Sequence, residues 1–344
     1  MEFPAAFPLS QAENVVRSCR PEAMNFQRQN HKPYISPPVM SSSSLGKINC
    51  SHFYAEWKGH PIEDLKTFHT FILQQRPDKP IIYLAGDSSL DNKYWVPSSG
   101  ASGEPLPVEV PEIYWNILNR PRPKPDIAFW LNHSLGNEAT ALNTAVEESM
   151  LRERDEYLLP HDKFIRDHIR PEDILIVSIG ANDVALRPTL STIRHMLQLA
   201  WLTPKKYLES GTASSLKYFK NMFGDRVQSY IERLIEKQKP RAVIVCAIYY
   251  PLEANAGQRS WADLQLKALG YNSYPSQLRM AIRKMYEIAT QKIQIEGTTV
   301  VPCALYAVLD GKRKQDYTAR VEPSSEGGRK MAAHFQELLD PFLR

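Results

Sequence analysis

The chain has 344 residues, 43% of them hydrophobic and 23% charged. Those proportions exclude global disorder, and 26 prolines against 15 glycines with no triplet period exclude collagen. A formal net charge of +4 is too dilute over this length to mark a nucleic-acid protein. At roughly 150 residues per domain, the length allows two domains but fits one enlarged domain equally well.

Cys19, Cys50, Cys246 and Cys303 match no zinc or CxxC spacing. Cys246 and Cys303 lie inside apolar runs and read as small buried hydrophobes of a reduced, intracellular protein. No apolar stretch approaches the roughly 18 residues of a membrane span. Met1-Glu2-Phe3-Pro4 does not begin a basic segment followed by an apolar one, so the expected location is cytoplasmic. Lys312-Arg313-Lys314, the densest basic run, reads as a solvated loop.

Residues 1–46 are rich in Pro, Ser, Asn and Gln and end in a serine tract, which predicts an extended or partly disordered arm. Phe3, Phe7, Phe26 and Tyr34 are its candidate anchors. Residues 47–344 then alternate helix-like and strand-like segments and are expected to form a single domain. Leu65, Phe68, Ile72 and Leu73 at helical spacing predict a helix over 62–73. The apolar run 80–85 predicts a strand buried on both faces. A Ser-, Gly- and Pro-rich loop covers roughly 96–111, followed by helices around 112–118 and 127–135. Further strands are predicted at 139–146, 173–179, 242–248 and 298–303. Two helices fill the span between the third and fourth strands, one with Ile193, Met196, Leu197, Ala200 and Trp201 on one face, the other running from Leu216 to Leu234. A helix over 276–295 precedes the fifth strand, and a last helix, capped by Ser324 or Ser325, runs nearly to Arg344. Five apolar strands separated by helices predict a parallel sheet covered on both faces. There is no GxGxxG and no P-loop, so nucleotide binding has no support.

In such sheets chemistry gathers at the carboxyl edge of the strands. After the first strand comes Gly86-Asp87-Ser88-Ser89-Leu90-Asp91. A tight glycine turn that lifts a serine to a helix start suits a nucleophile, although the same residues suit a plain helix cap. After the third strand comes Gly180-Ala181-Asn182-Asp183, where an amide can donate to an oxyanion without titrating.

Taken together, Gly-Asp-Ser-x-x-Asp and Gly-x-Asn-Asp resemble two sequence blocks of the SGNH, or GDSL-type, hydrolases. The resemblance implies a flavodoxin-like three-layer α/β/α sandwich with no metal or organic cofactor, acting on esters, thioesters or acyl groups. It makes Ser88 the nucleophile and Asn182, with the Ser88 backbone N–H, the oxyanion donors. The family's middle block places a glycine after the second strand. Here Asn132–Gly136 and Asn143–Ser149 compete for that block, and the second fits the topology better, which puts Glu148 at the glycine position. Glu147 and Glu148 together would also serve as an acid–base element, or simply as the solvated start of a helix.

The family's last block, Asp-x-x-His-Pro, reads Ala319-Arg320-Val321-Glu322-Pro323 in this chain. Histidine has become glutamate and its aspartate has become alanine. His133, His161, His168, His195 and His334 all lie on the wrong segments or too far along the last helix to replace it. A carboxylate near its ordinary pKa of about 4 is a weak base toward a serine hydroxyl, but burial and neighbouring carboxylates would raise it. A carboxylate also has no tautomer to fix, so losing the aspartate together with the histidine is self-consistent.

Three readings follow. One is an esterase, acyl hydrolase or acyltransferase using Ser88 with Glu322 as base. Another is acid–base chemistry by Asp87 and Glu322 without a covalent step, as in a cyclase, isomerase, lyase or epoxide-opening enzyme. The third is a small-molecule-binding protein that has lost catalysis. Gly86, Asp91, Glu148, Ser149, Gly180, Asp183 and Tyr249 are the expected supporting or substrate-binding residues. Tyr94, Trp95 and Tyr250 add aromatic surface near them, which favours a small, largely apolar substrate.

Overall fold

The computed structural model describes residues 46–97 and 106–343. The predicted N-terminal arm with its four aromatic anchors, Cys19, and residues 98–105 of the predicted loop lie outside the described residues. Lys47–Arg344 makes up one unit.

Five strands form the central sheet: β1 (Ile81–Gly86), β2 (Thr140–Asn143), β3 (Ile174–Ser178), β4 (Ala242–Ala247) and β5 (Thr299–Ala304). All pairings are parallel, in the order β2-β1-β3-β4-β5. Every residue of β1 to β4 is buried, which is why these strands are apolar without alternation. β5 is the outer strand and is partly exposed, so it tolerates Pro302, whose missing N–H falls on an edge.

Helices flank this sheet. They include α1 (Ile62–Gln75), α2 (Ile127–Leu135), α3 (Pro160–His168), α4 (Val227–Leu234), α5 (Pro275–Ile288) and α6 (Ser325–Leu343). α6 lies along α2, while α4 packs on α3 and α3 on α1. On α1 the predicted stripe is the buried one: Leu65, Phe68 and Ile72 enter the core, each contributing about 2 kcal/mol by leaving water. The result is the expected flavodoxin-like α/β/α sandwich. From β1 the chain passes to β2 on one side and then to β3 on the other, so the carboxyl end of β1 is the switch point at which ligands bind in such folds.

Four elements differ from the sequence expectation, the first being α5, which ends at Ile288 and not near 295. β2 is four residues long, not eight. Beyond it the Thr144 hydroxyl donates to Leu84 O at 2.7 Å and Asn143 Oδ1 accepts from Ala145 N–H at 3.1 Å, which pulls the backbone out of regular strand geometry. The chain still follows β1, since the N–H groups of Thr144 and Val146 donate to Leu84 O and Gly86 O at 3.0 Å each. The insert between β3 and β4 is not two helices but several short ones ahead of α4, with π-helical turns at Gln198–Leu202 and Asn221–Arg226. Pro204 and Gly211, the latter at φ +74°, interrupt it between Leu190–Leu197 and Ser214–Lys220. The segment after β1 is a turn followed by a single 3-10 turn, Asn92–Tyr94, where a helix was expected. Asn92 holds it there, donating to Pro323 O at 3.1 Å and accepting from Ile127 N–H at 3.0 Å.

Candidate active site

Gly86 turns the chain out of β1 at φ +135° with its Cα against β3. A β-carbon there would lie 1.8 Å from Ser178 O, so only glycine fits. Asp87 follows, fully inside. Its Oδ1 accepts from the Ser89 N–H at 3.0 Å and the Ser89 hydroxyl at 2.7 Å, while Oδ2 is buried without a hydrogen-bond partner. Burial pushes the Asp87 carboxyl up to about 6, against the pull of the Ser89 hydrogen bonds and the Arg154 guanidinium. Ser88 is 7% exposed, at the tip of this turn.

The segment after β2 is stitched to the same turn. The Ser149 hydroxyl shares its one hydrogen between Val146 O at 2.6 Å and Gly86 O at 3.0 Å. Glu148 has φ +58°, a left-handed conformation that glycine adopts most readily. Its side chain turns outward to Lys58, 3.3 Å away. Glu147 turns inward: Oε1 accepts from the Trp95 indole N–H at 3.0 Å, and Oε2 is buried and unpartnered.

After β3, Gly180 at φ +107° starts the short helix Ala181–Ala185, and Phe223 closes over it. Asn182 is buried and donates one amide hydrogen to Ser149 O at 3.1 Å. An amide nitrogen carries two. Ser149 thus ties together the turns carrying Ser88 and Asn182.

Glu322 stands on a hairpin in which Tyr317–Thr318 pairs with Glu322–Pro323. Ala319 and Arg320 make its turn, both left-handed at φ +50° and +64°. The segment after β4 clamps that strained turn. Arg320 is buried and donates to Leu252 O at 3.1 Å, Asp263 Oδ1 at 2.6 Å and Asn272 Oδ1 at 2.9 Å. The Tyr249 hydroxyl donates to Val321 O at 2.7 Å. Tyr249 is therefore adjacent to Glu322, with its hydroxyl committed to holding the loop.

The Glu322 carboxyl is 2% exposed; Oε1 accepts from the Trp261 indole N–H at 3.1 Å, and Oε2 has no aligned partner. The hairpin is tied to the turn after β1 through Asn92, which donates to Pro323 O at 3.1 Å. Burial is the main cause that lifts Glu322 to about 7; Ser88 and Trp261 pull it down, and Asp87 and Glu148 push it up. Burial, then the Glu322 charge, then Asp91 hold Glu147 well above the usual carboxylate range.

Two of the expected substrate-binding residues are closed to a ligand. Asp91 is fully buried, receives Lys93 Nζ at 2.7 and 2.9 Å, and accepts the N–H groups of Gly59 at 2.8 Å and Glu147 at 2.9 Å. Asp183 accepts the N–H groups of Leu151 at 2.7 Å and Arg152 at 3.1 Å. Both fix the frame of the site, because a carboxylate with both oxygens taken has little left to offer. Sequence reasoning did not single out Trp261, Lys93 or Arg320. Trp95 was noted only as pocket surface, and Glu147 only jointly with Glu148, as an acid–base element or the solvated start of a helix. An adjacent pair of glutamates after a strand was the one usable signal.

Beyond the Asn182 turn, under the β3–β4 insert, lies a small apolar pocket open on one side. Val184, Phe223, Ala247, Ile248, Leu199 and Met285 are among its walls. Cys246 and Cys303 are buried, side by side across β4 and β5, as expected of small hydrophobes. Among the described residues no group of three or more His, Cys, Asp or Glu is arranged to hold a metal ion, and no helix is long and apolar enough to cross a membrane.

No family model matches the chain, and no curated protein matches it. Among solved structures it is similar to a Streptococcus pneumonia protein described as a platelet activating factor. That likeness has 13% identity and a TM-score of 0.34, and covers 82% of this chain and 94% of the other. A second structure has 15% identity and a TM-score of 0.37, covering 77% of this chain and 98% of the other. Similarity at this level bears on neither activity nor substrate. The sheet order and buried strands themselves define the class, an α/β/α sandwich with a carboxyl-rich serine turn at its switch point.

Proposed function

We propose that the protein is a cofactor-independent acyl hydrolase or acyltransferase in which Ser88 is the nucleophile and Glu322 its base. One observation carries this reading: the Glu322 carboxyl is buried with Oε2 unpartnered, on a hairpin tied by Asn92 to the turn that carries Ser88, and burial lifts it to about 7. A general base works best when its pKa lies near the working pH. A carboxylate left at about 4 would be ionised but too weak; burial trades some ionisation for basicity. Glu322 accepts the Ser88 proton as Oγ attacks a carbonyl carbon, and the Asn182 amide with the Ser88 N–H receives the developing oxyanion. The Lys58 ion pair offsets the negative charge that Glu148 would otherwise bring to this edge. The apolar pocket beside the Asn182 turn suits the apolar part of a small substrate.

The test is covalent. A serine-directed phosphonate should add one adduct to the wild-type protein by intact mass, and none to Ser88→Ala. A second reading is favoured by the buried, unpartnered Oδ2 of Asp87 and Oε2 of Glu322. These two acids would move protons on a small molecule without a covalent step. Activity that persists in Ser88→Ala and dies in Glu322→Gln would select that reading instead. Ligand binding with no turnover of any ester, epoxide or polyene would select a binding protein.

A further inference from the structure

Two indoles hold the two deepest glutamates in the same way. Trp95 donates to Glu147 Oε1 at 3.0 Å and Trp261 to Glu322 Oε1 at 3.1 Å, and each Oε2 stays buried and unpartnered. An orphaned buried acceptor is a destabilising feature, and the same arrangement occurs twice beside one serine. Consecutive residues of one turn hold both segments: Asp91 accepts the Glu147 N–H at 2.9 Å and Asn92 donates to Pro323 O at 3.1 Å, and the Glu322 charge acts on Glu147.

The surrounding groups do not neutralise them. From the turn after β1, Asp91 and Lys93 face Glu147, but Lys93 is tied to both Asp91 oxygens. Asp87 and Glu148 face Glu322, with Lys58 paired to Glu148. Tyr249, packed from the end of β4, lies in the field of both glutamates. Two carboxyls in such surroundings do not ionise together: the charge of one keeps the proton on the other. With Glu322 ionised as the base of the Ser88 reading, the proton stays on Glu147, leaving a base and an acid side by side at the same pH.

We propose that Glu147 is the general acid of the reaction, its Oε2 carrying the proton that the departing alkoxide takes. This rests on the Ser88–Glu322 reading. In acylation the Ser88 O–H bond breaks, its proton goes to Glu322, and Oγ bonds to the acyl carbon. The carbon–oxygen bond to the leaving group breaks, and that oxygen takes the proton of Glu147. In deacylation a water molecule gives a proton to the Glu147 carboxylate while its oxygen bonds to the acyl carbon. The Ser88 oxygen then leaves and recovers its proton from Glu322. Both glutamates return to their starting states and one water is consumed.

The experiment compares wild type and Glu147→Gln on two esters of one acid. An alkyl ester has a leaving group that needs a proton, and a nitrophenyl ester has one that does not. Glutamine keeps an acceptor for Trp95 and loses the transferable proton. The expected result is a fall in kcat/KM, which reports acylation alone, of about 100-fold on the alkyl ester and less than about threefold on the nitrophenyl ester. The alkaline decline of the wild-type alkyl-ester profile should vanish as well. Equal falls in kcat/KM on both esters, with Ser88 still labelled by phosphonate, overturn the role of Glu147 and leave the Ser88 reading standing. A wild-type protein that neither labels at Ser88 nor turns over either ester overturns both. Should Glu147→Gln fail to fold, Trp95→Phe, which releases the other oxygen of Glu147, must still slow the alkyl ester selectively; no selectivity there overturns the proposal.

Discussion

Two pairs of buried ionisable side chains meet at one sheet edge, where Asp91 accepts the Glu147 N–H at 2.9 Å and Asn92 donates to Pro323 O at 3.1 Å, and are treated in opposite ways. Asp91 and Lys93 are completely enclosed, and Asp91 receives Lys93 and two backbone N–H groups. Glu147 and Glu322 are as deeply enclosed, yet each gives one oxygen to an indole and leaves the other with nothing. A satisfied pair holds its surroundings in one arrangement. An unsatisfied pair is an arrangement waiting for a proton or a ligand, and its strain must be offset by the frame around it. The difference separates structural charge from chemical charge at one sheet edge.

The sharpest way to break this contrast is to spoil the satisfied pair. Lys93→Met leaves the Asp91 carboxylate buried without its cation and should cost about 3–5 kcal/mol of stability in urea unfolding. A loss below about 1 kcal/mol would mean that Asp91 and Lys93 are no more structural than the glutamates.

Spoiling the open pair should do the reverse. Glu322→Gln is expected to lower kcat by roughly 100-fold or more while making the protein more stable at alkaline pH. The folded-state pKa of Glu322 is raised from 4.5 to about 7, so the folded form binds more protons than the unfolded one across that window. Wild-type stability therefore falls as pH rises from about 4.5 to about 7, and glutamine removes a penalty on the order of 3 kcal/mol above it. Unfolding of both proteins at pH 5 and pH 8 measures this directly. Equal stabilities at pH 8 would remove Glu322 from the strained class.

Two smaller effects sharpen the picture. Asn182→Ala should lower kcat by about 100-fold with little change in KM, the signature of a donor used mainly in the transition state. A change confined to KM would make it a binding residue. Trp261→Phe removes the donor that pulls the Glu322 pKa down, so the acidic limb of the rate profile should move to higher pH, by about half a unit to one unit. An unmoved limb would detach Trp261 from the chemistry.

Much of this was legible in the sequence because apolar runs and glycine turns act locally. The run at 80–85 could be little else than a buried strand, and Gly86 was marked by the strand before it and the serine after it. The last hairpin was readable as a departure, with Glu322 ahead of Pro323 where a histidine was expected, but not as a hairpin. What escaped were long-range partners. Nothing in residues 251–274 announces that Trp261 will meet a carboxyl 61 positions later, or that Arg320 will reach back to Asp263 and Asn272. Asp91 illustrates the converse: its place in the motif suggested a substrate contact, while its saturation by Lys93 depends on burial that composition does not encode. The surplus length went into the edge itself, as the broken helices between β3 and β4 that wall the apolar pocket.

The central claim is that Ser88 is made nucleophilic by Glu322. It is tested most directly by the rate of phosphonate addition as a function of pH, followed by intact mass in wild type, Ser88→Ala and Glu322→Gln. The account predicts a wild-type rate that climbs through pH 7 and levels off, a slow and nearly flat rate in Glu322→Gln, and no adduct in Ser88→Ala. Labelling of Glu322→Gln as fast as wild type, or an adduct that survives in Ser88→Ala, would contradict it.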